Sequence, residues 1–274
     1  ELTVELDNDD SFGDYFSQVF PKALQLVKEL SEEQKITPFL WFDQEAEEAI
    51  NLYTSLFPGS KITSLNRLPN GGVMAANFQL GGQKFAALNG GPMFKLNPSI
   101  SFFVVCETET EIDHAWQKLS EGGSVMMPLN KYPWSEKYGW LQDRFGLSWQ
   151  LSFGTISEVG QKFTPCLMFV GAQHGRAEEA ILCHASIFGG TGIDGILRYA
   201  EGDHDPAVGT VRHAQFKLEG QKFMAMDSSF EYPYQFNEAL SFIISCHTQE
   251  EIDYFWNKLT ADGGEGGQCG WLKD

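Results

Sequence analysis

The feature that most constrains this chain is an internal duplication. Gly82-Gln83-Lys84-Phe85 returns as Gly220-Gln221-Lys222-Phe223, at an offset of 138. Ser101-Phe102 and Cys106 return as Ser241-Phe242 and Cys246, and Glu111-Ile112-Asp113 with Trp116 and Lys118-Leu119 returns as Glu251-Ile252-Asp253 with Trp256 and Lys258-Leu259, all at 140. Gly139-Trp140-Leu141 with Asp143 returns as Gly270-Trp271-Leu272 with Asp274, at 131. Pro38-x-Leu40-x-Phe42 matches Pro165-x-Leu167-x-Phe169, followed in each copy by Ala-Glu-Glu-Ala-Ile. So many identities in one order require two copies of one module in tandem, over residues 37–153 and 163–274. Residues 1–36 form an acidic extension outside the repeat, with a helix expected over 14–30.

Each copy reads as a short apolar strand (36–42; 164–170) and then an amphipathic helix (44–57; 175–188). On the first helix Ala46, Ala49, Ile50, Tyr53 and Phe57 share one face, and Pro58-Gly59 stops it. Strands follow over 60–67, 73–80 and 83–89, the last two joined by Gly81-Gly82, a tight-hairpin signature. Next come a strongly apolar strand over 100–106 and a helix over 109–120. Strands over 139–143 and 147–153 close the copy. Helices alternating with short antiparallel strands predict an α+β fold with the helices on one sheet face and the other face free. The second copy stops short of the counterpart of 144–153, so it is expected to lack its final strand.

Charge narrows the partners. Lys+Arg number 19 against 37 Asp+Glu, a net charge of −18, and such a surface repels phosphate backbones and anionic lipid. Neither nucleic acid nor membrane is expected as a partner, and no apolar run is long enough for a membrane span. The five cysteines are widely spaced and never form a CxxC pair, which fits a reducing compartment and a cytoplasmic protein without a disulfide framework. A two-module chain can complete its own site, so monomer and homodimer both stay open.

A duplicated βαβββ construction resembles the vicinal-oxygen-chelate superfamily, which includes glyoxalase I, ring-cleaving dioxygenases and bleomycin-resistance proteins. More narrowly, Lys35-Ile36-Thr37-Pro38-Phe39-Leu40-Trp41-Phe42 with Ala46-Glu47-Glu48-Ala49 and Tyr53-x-x-x-Phe57 is similar to the PhnB-like family, whose domain carries the label 3-demethylubiquinone-9 3-methyltransferase. Asp143-x-x-Gly146-x-x-Trp149-Gln150 is similar to that family's closing strand. The resemblance implies paired modules whose mixed sheets curl into a cup that holds the ligand, with helices outside. In the metal-using members it implies ligands on the first and last strands. The positions here count to Pro38, Pro165 and Gln150, with the fourth beyond residue 274. Proline offers a metal nothing, so no metal and no cofactor are expected, and the ligand is expected to be a small organic molecule.

The chemistry that remains is asymmetric. His213 and Gln215 fall on one face of a strand over 210–218, where His213 can serve as a base with Asp227 orienting it. Cys269 is the candidate nucleophile, if one of His174, His184, His204 or His247 adjoins it. Asn77, Asn89, Trp140, Gln150 and Gln215 are the candidate ligand contacts, in keeping with apolar clefts that carry a few polar groups. Gly190-Thr191-Gly192-Ile193-Asp194-Gly195 matches GxGxxG in letters but follows a helix, so no dinucleotide site is read from it. No doubly wound sheet with a glycine-rich first turn is expected to hold S-adenosylmethionine. The readings left open are a metal-independent binding protein, an enzyme on the same cup (a lyase, an isomerase or the labelled transferase), and a structural or interaction module.

Overall fold

The computed structural model describes residues 34–203 and 207–274; the helix expected over 14–30 and His204 lie outside them. The first module runs β1 (Ile36–Phe42), α1 (Ala46–Leu56), β2 (Lys61–Arg67), β3 (Val73–Leu80), β4 (Gln83–Asn89), β5 (Ile100–Cys106), α2 (Glu109–Ser120), β6 (Ser124–Tyr132), β7 (Ser135–Gln142) and β8 (Ser148–Phe153). After the short α3 (Ile156–Val159), the second runs β9 (Phe163–Phe169), α4 (Ala177–Ile187), β10 (Gly192–Arg198), β11 (Val211–Leu218), β12 (Gln221–Asp227), β13 (Leu240–Ile244), α5 (Gln249–Leu259), β14 (Glu265–Gly266) and β15 (Leu272–Lys273). The first module therefore resolves into two βαβββ units, and the second into one βαβββ unit followed by a βαββ unit. The strand that the sequence pattern did not predict is β6, an edge strand largely exposed and carrying Pro128. An edge tolerates a missing N–H and leaves no clean apolar alternation to read.

The sheets exchange halves between the modules. One has the order β10-β11-β12-β9-β5-β8-β7-β6, joining the first unit of module two to the second unit of module one. The other has the order β13-β1-β4-β3-β2, joining the first unit of module one to β13. The seams are antiparallel: β5 on β9, with Ser101 opposite Cys166, and β1 on β13, with Phe39 opposite Ser241.

The repeated motifs are the devices that hold this exchange. Gln83 clamps the other module's first strand, accepting from Phe163 N at 2.8 Å and donating to Phe163 O at 2.9 Å. Gln221 does the same to Ile36, at 2.9 and 2.8 Å. Lys162 pairs with Glu111 at 2.5 Å, and its counterpart Lys35 pairs with Glu251. The Thr108 and Thr248 hydroxyls cap α2 and α5, accepting from Glu111 N and Glu251 N, which satisfies a backbone donor that the helix start leaves open. Gly139 is required by packing, since a Cβ there would come within 2.4 Å of the Trp116 ring.

The main core lies between the helices and the sheets. Trp149, Phe102, Phe85, Phe163, Tyr53 and Ile112 are fully buried there. Asp143 is buried among them and its carboxylate accepts four hydrogen bonds: from Phe145 N (2.9 Å), Leu147 N (3.0 Å), Tyr53 Oη (2.7 Å) and Trp149 Nε1 (2.9 Å). In module two His184 takes the place of Tyr53 and bonds Asp274, in a more exposed version of the same pairing.

Candidate functional site

Alternation along each strand assigns its two faces. Phe102 and Val104 of β5 and Trp149 and Leu151 of β8 enter the core under α2, so Ser101, Phe103, Ser148, Gln150 and Ser152 face the cup. Cross-strand pairing carries the assignment onward. Thr164 and Cys166 lie opposite Phe103 and Ser101. Met224 and Met226 pair with Cys166 and Met168, Gln215 pairs with Met224, and Tyr138 and Trp140 pair with Ser152 and Gln150. The eight-stranded sheet thus presents hydroxyls, amides, a thiol, three thioethers and aromatic rings on one concave face.

Hydrogen bonds fix its centre. Tyr138 Oη donates to Gln150 Oε1 at 2.7 Å, and Gln150 Nε2 donates to Ser101 Oγ at 2.8 Å. Trp140 Nε1 donates to Ser148 Oγ at 2.8 Å. Burial pushes the Cys166 thiol up to about 12, although the Gln150 and Ser101 side chains pull it down, so this group is a neutral thiol. Burial also raises the Tyr138 phenol and lowers the His213 imidazole, so His213 favours its neutral form. Its Nε2 lies 3.4 Å from Gln215 Nε2. At the edge of this face, exposed Trp134 stacks on Tyr132 with ring centroids 5.1 Å apart, and both rings meet Tyr138 edge-on.

The sequence candidates sort into three groups. His213, Gln215, Trp140 and Gln150 share the cup face of the eight-stranded sheet. Asn77 and Asn89 belong to the five-stranded sheet, because the exchange of halves parts them from Trp140 and Gln150 of their own module. Asn89 acts structurally, its Oδ1 accepting from Ala46 N at the start of α1 and its Nδ2 donating to Val73 O. Asp227 plays the matching part in module two, accepting from Gly175 N, Ala177 N and Val211 N. It shares the helix-side face with Ala225, opposite to His213, so it does not orient that imidazole. Cys269 stands exposed on the loop before β15 with φ 61°. Desolvation raises its thiol pKa, so nothing there favours the thiolate that a nucleophile requires.

The proline positions also change. Pro165 lies opposite Phe102 and Pro38 opposite Phe242, both on the helix side. The inward first-strand residues are Thr164 and Cys166 in one sheet and Thr37 and Phe39 in the other. The first- and last-strand donors of the eight-stranded sheet are thus hydroxyl, amide, thiol and thioether, a set that does not fit a catalytic divalent cation. Among the described residues no three His, Cys, Asp or Glu side chains group as metal ligands.

The second concave face has the same scaffold and different contents. Trp41 stands where Met168 stands, Phe39 where Cys166, Ala86 where Met224, and Ala75 where His213. Trp41 meets Phe94 at 5.2 Å and Trp271 at 6.4 Å, and Phe39 meets Trp271 at 5.4 Å. The Trp41 indole donates to Gly91 O at 2.8 Å. It lies so close to Gly90 that a Cβ there would fall 2.2 Å from the ring; the counterpart of Gly90 beside Met168 is Ser228. Aromatic rings of the chain in mutual contact therefore line this second cup. Sequence reasoning missed Ser101, Tyr138, Cys166, Met168 and Met224, although the mismatch of Met168, Cys166 and Met224 with Trp41, Phe39 and Ala86 was the available signal.

Comparison with known proteins places this geometry. The family described as 3-demethylubiquinone-9 3-methyltransferase matches residues 34–152 and again 161–274. A solved structure described as a putative 3-demethylubiquinone-9 3-methyltransferase, PhnB protein, from Bacillus cereus is 46% identical over 44% of this chain and 100% of its own, with a TM-score of 0.43. Glyoxalase I from Zea mays is 12% identical over 84% of this chain and 82% of its own, with a TM-score of 0.52; that likeness concerns the fold. No curated protein matches the chain. No helix among the described residues is long and apolar enough to cross a membrane.

Proposed function

The chain belongs to the family described as 3-demethylubiquinone-9 3-methyltransferase, and on that premise we propose that it binds one small organic molecule, without a metal, on the concave face of the eight-stranded sheet. The observation that carries this reading is the contrast between the two cups. One is lined by Phe39, Trp41, Phe94 and Trp271 in mutual contact, while the other is lined by Met168, Met224, Met226 and a few fixed hydrogen-bonding groups. Methionine adapts to flat, polarizable ligands, and Gln150, Ser101 and Tyr138 supply the orientation that small-molecule clefts obtain from few polar groups. Lys222 and Lys217 on this face are paired with Asp194, which favours an uncharged ligand.

The test is a thermal-shift series with uncharged phenols, quinones and aryl amides, with S-adenosylmethionine alongside. A ligand at a hundredfold excess over its Kd stabilises by about 2.7 kcal/mol, a rise of roughly 5–10 °C for a chain of this size. Absence of any shift across the series overturns the binding reading. One observation favours a second reading, an enzyme on the same face: His213 faces the cup and burial holds it neutral, as a proton acceptor must be. Under that reading His213→Gln keeps ligand binding and loses turnover. Stabilisation by S-adenosylmethionine would select the transferase of the family description.

A further inference from the structure

The loops that lead from β4 to β5 and from β12 to β13 are equivalent by the repeat, and they hold each other. Asn97 Nδ2 donates to Gln235 O at 3.0 Å, and Asn237 Nδ2 donates to Lys95 O at 2.9 Å. This reciprocal pair sets the correspondence at an offset of 140, so Tyr234 stands where Phe94 stands. In the cup of the five-stranded sheet Phe94 meets the Trp41 ring edge-on at 5.2 Å. In the cup of the eight-stranded sheet Met168 replaces Trp41, and Ser228 replaces the Gly90 against which that indole lies. Ser228 N donates to Phe169 O, one residue beyond Met168. Its Oγ lies 3.4 Å from Tyr232 Oη, and Tyr232 stacks on Tyr234 with ring centroids 5.1 Å apart. The Tyr234 hydroxyl is buried and has no hydrogen-bond partner among the described residues. Phenylalanine, as at position 94, would carry no such penalty. Burial, and then the neighbouring Tyr232, raises the Tyr234 phenol above its ordinary pKa, so the group keeps its proton and is a donor at neutral pH.

We propose that Tyr234 determines the specificity of the ligand-binding face: its hydroxyl donates to an uncharged carbonyl oxygen on an aromatic ligand seated beside Met168. The assignment rests on the reading that this face binds a small organic molecule, and it narrows the class to aryl ketones, quinones and aryl amides. The hydroxyl is unpaired before a ligand arrives, so a carbonyl gains a hydrogen bond without breaking one inside the protein. An analogue without the oxygen leaves the buried donor unpaired, which is how a polar group inside an apolar cleft discriminates. Tyr232, the partly exposed ring stacked on Tyr234, swings aside to admit the ligand.

The experiment uses the whole chain, Tyr234→Phe, and two probes of one shape: acetophenone, and α-methylstyrene, in which a methylene replaces the carbonyl oxygen. Methionine-methyl NMR titrations report affinity, and circular dichroism reports the melt of each unliganded chain. The parent is expected to bind acetophenone about tenfold more tightly than α-methylstyrene. Tyr234→Phe is expected to lose about that factor for acetophenone and none for α-methylstyrene. Without ligand it should melt at or above the parent, because an unpaired buried hydroxyl has been removed. Equal binding of the two probes by the parent, or undiminished acetophenone binding by Tyr234→Phe, overturns the assignment and leaves the binding reading standing. So does a failure of acetophenone to bind when another compound of the thermal-shift series does. A variant that melts well below the parent also overturns it, since the hydroxyl then has a partner within the protein. If no compound of that series binds the parent, the binding reading fails and the assignment falls with it.

Discussion

Replacing Asp143 by asparagine tests the account of how the first module closes. The carboxylate is buried and receives four donors, two on each oxygen. Asparagine keeps one acceptor, which remains with the Phe145 and Leu147 amides. Its Nδ2 then faces Tyr53, whose hydroxyl can turn to accept, and the Trp149 indole, which can only donate. A hydrogen bond to a charged acceptor is worth about 1.5–3 kcal/mol, and a buried donor left unpaired costs about 1–3 kcal/mol. Burial raises the Asp143 pKa despite those four bonds, so removing the charge returns part of that loss. The net expectation is a destabilisation of about 2 kcal/mol, or roughly 4–8 °C. Urea unfolding followed by far-ultraviolet circular dichroism measures it. In the Trp149→Phe background, where the conflicting donor is gone, the same substitution should cost about 1–2 kcal/mol less. Asp143→Asn within about 0.5 kcal/mol of the parent, or strict additivity with Trp149→Phe, would refute the reasoning.

Three further outcomes follow from the same geometry. Because burial lowers the folded-state pKa of His213, the unfolded chain protonates there first. The contribution of His213 to stability is therefore constant above about pH 6.5 and lost as pH falls below it, and His213→Gln flattens stability between about pH 6.5 and 5 in urea titrations. Thr108→Ala removes the cap of α2 and should cost about 1 kcal/mol, with Thr248→Ala costing the same on α5. Gln83→Ala strips both clamping bonds from Phe163 and leaves a buried amide unpaired, a loss of about 1–3 kcal/mol in equilibrium unfolding.

Much of the scaffold was legible because the repeat names it. The strands over 73–80 and 83–89, the Gly81-Gly82 turn between them and the helix over 109–120 follow from local chemistry. Which half-modules share a sheet was not legible, because strand partners across the Phe102–Pro165 seam are set by packing between distant segments. That choice decides the site: it places Gln150 with His213 and parts Gln150 from Asn77. The role of Asp227 was misread for a similar reason. One residue of register along β12 decides whether a carboxylate faces an imidazole or the amides that open α4. The aromatic lining of one cup was visible in Trp41 with Gly90 against Met168 with Ser228, but only once the strand faces were fixed.

The central claim is that one cup takes a ligand and the other is filled by its own side chains. Transplanting the filling tests it directly: Met168→Trp with Ser228→Gly reproduces the Trp41 and Gly90 pair in the eight-stranded sheet. Methionine-methyl NMR of parent and variant, titrated with uncharged phenols and quinones, is the measurement. The account predicts that a binding compound shifts Met168, Met224 and Met226 but not Met74 in the parent, saturates at one equivalent, and leaves Met224 and Met226 unmoved in the variant. Saturation at two equivalents, or undiminished shifts of Met224 and Met226 in the variant, would contradict it.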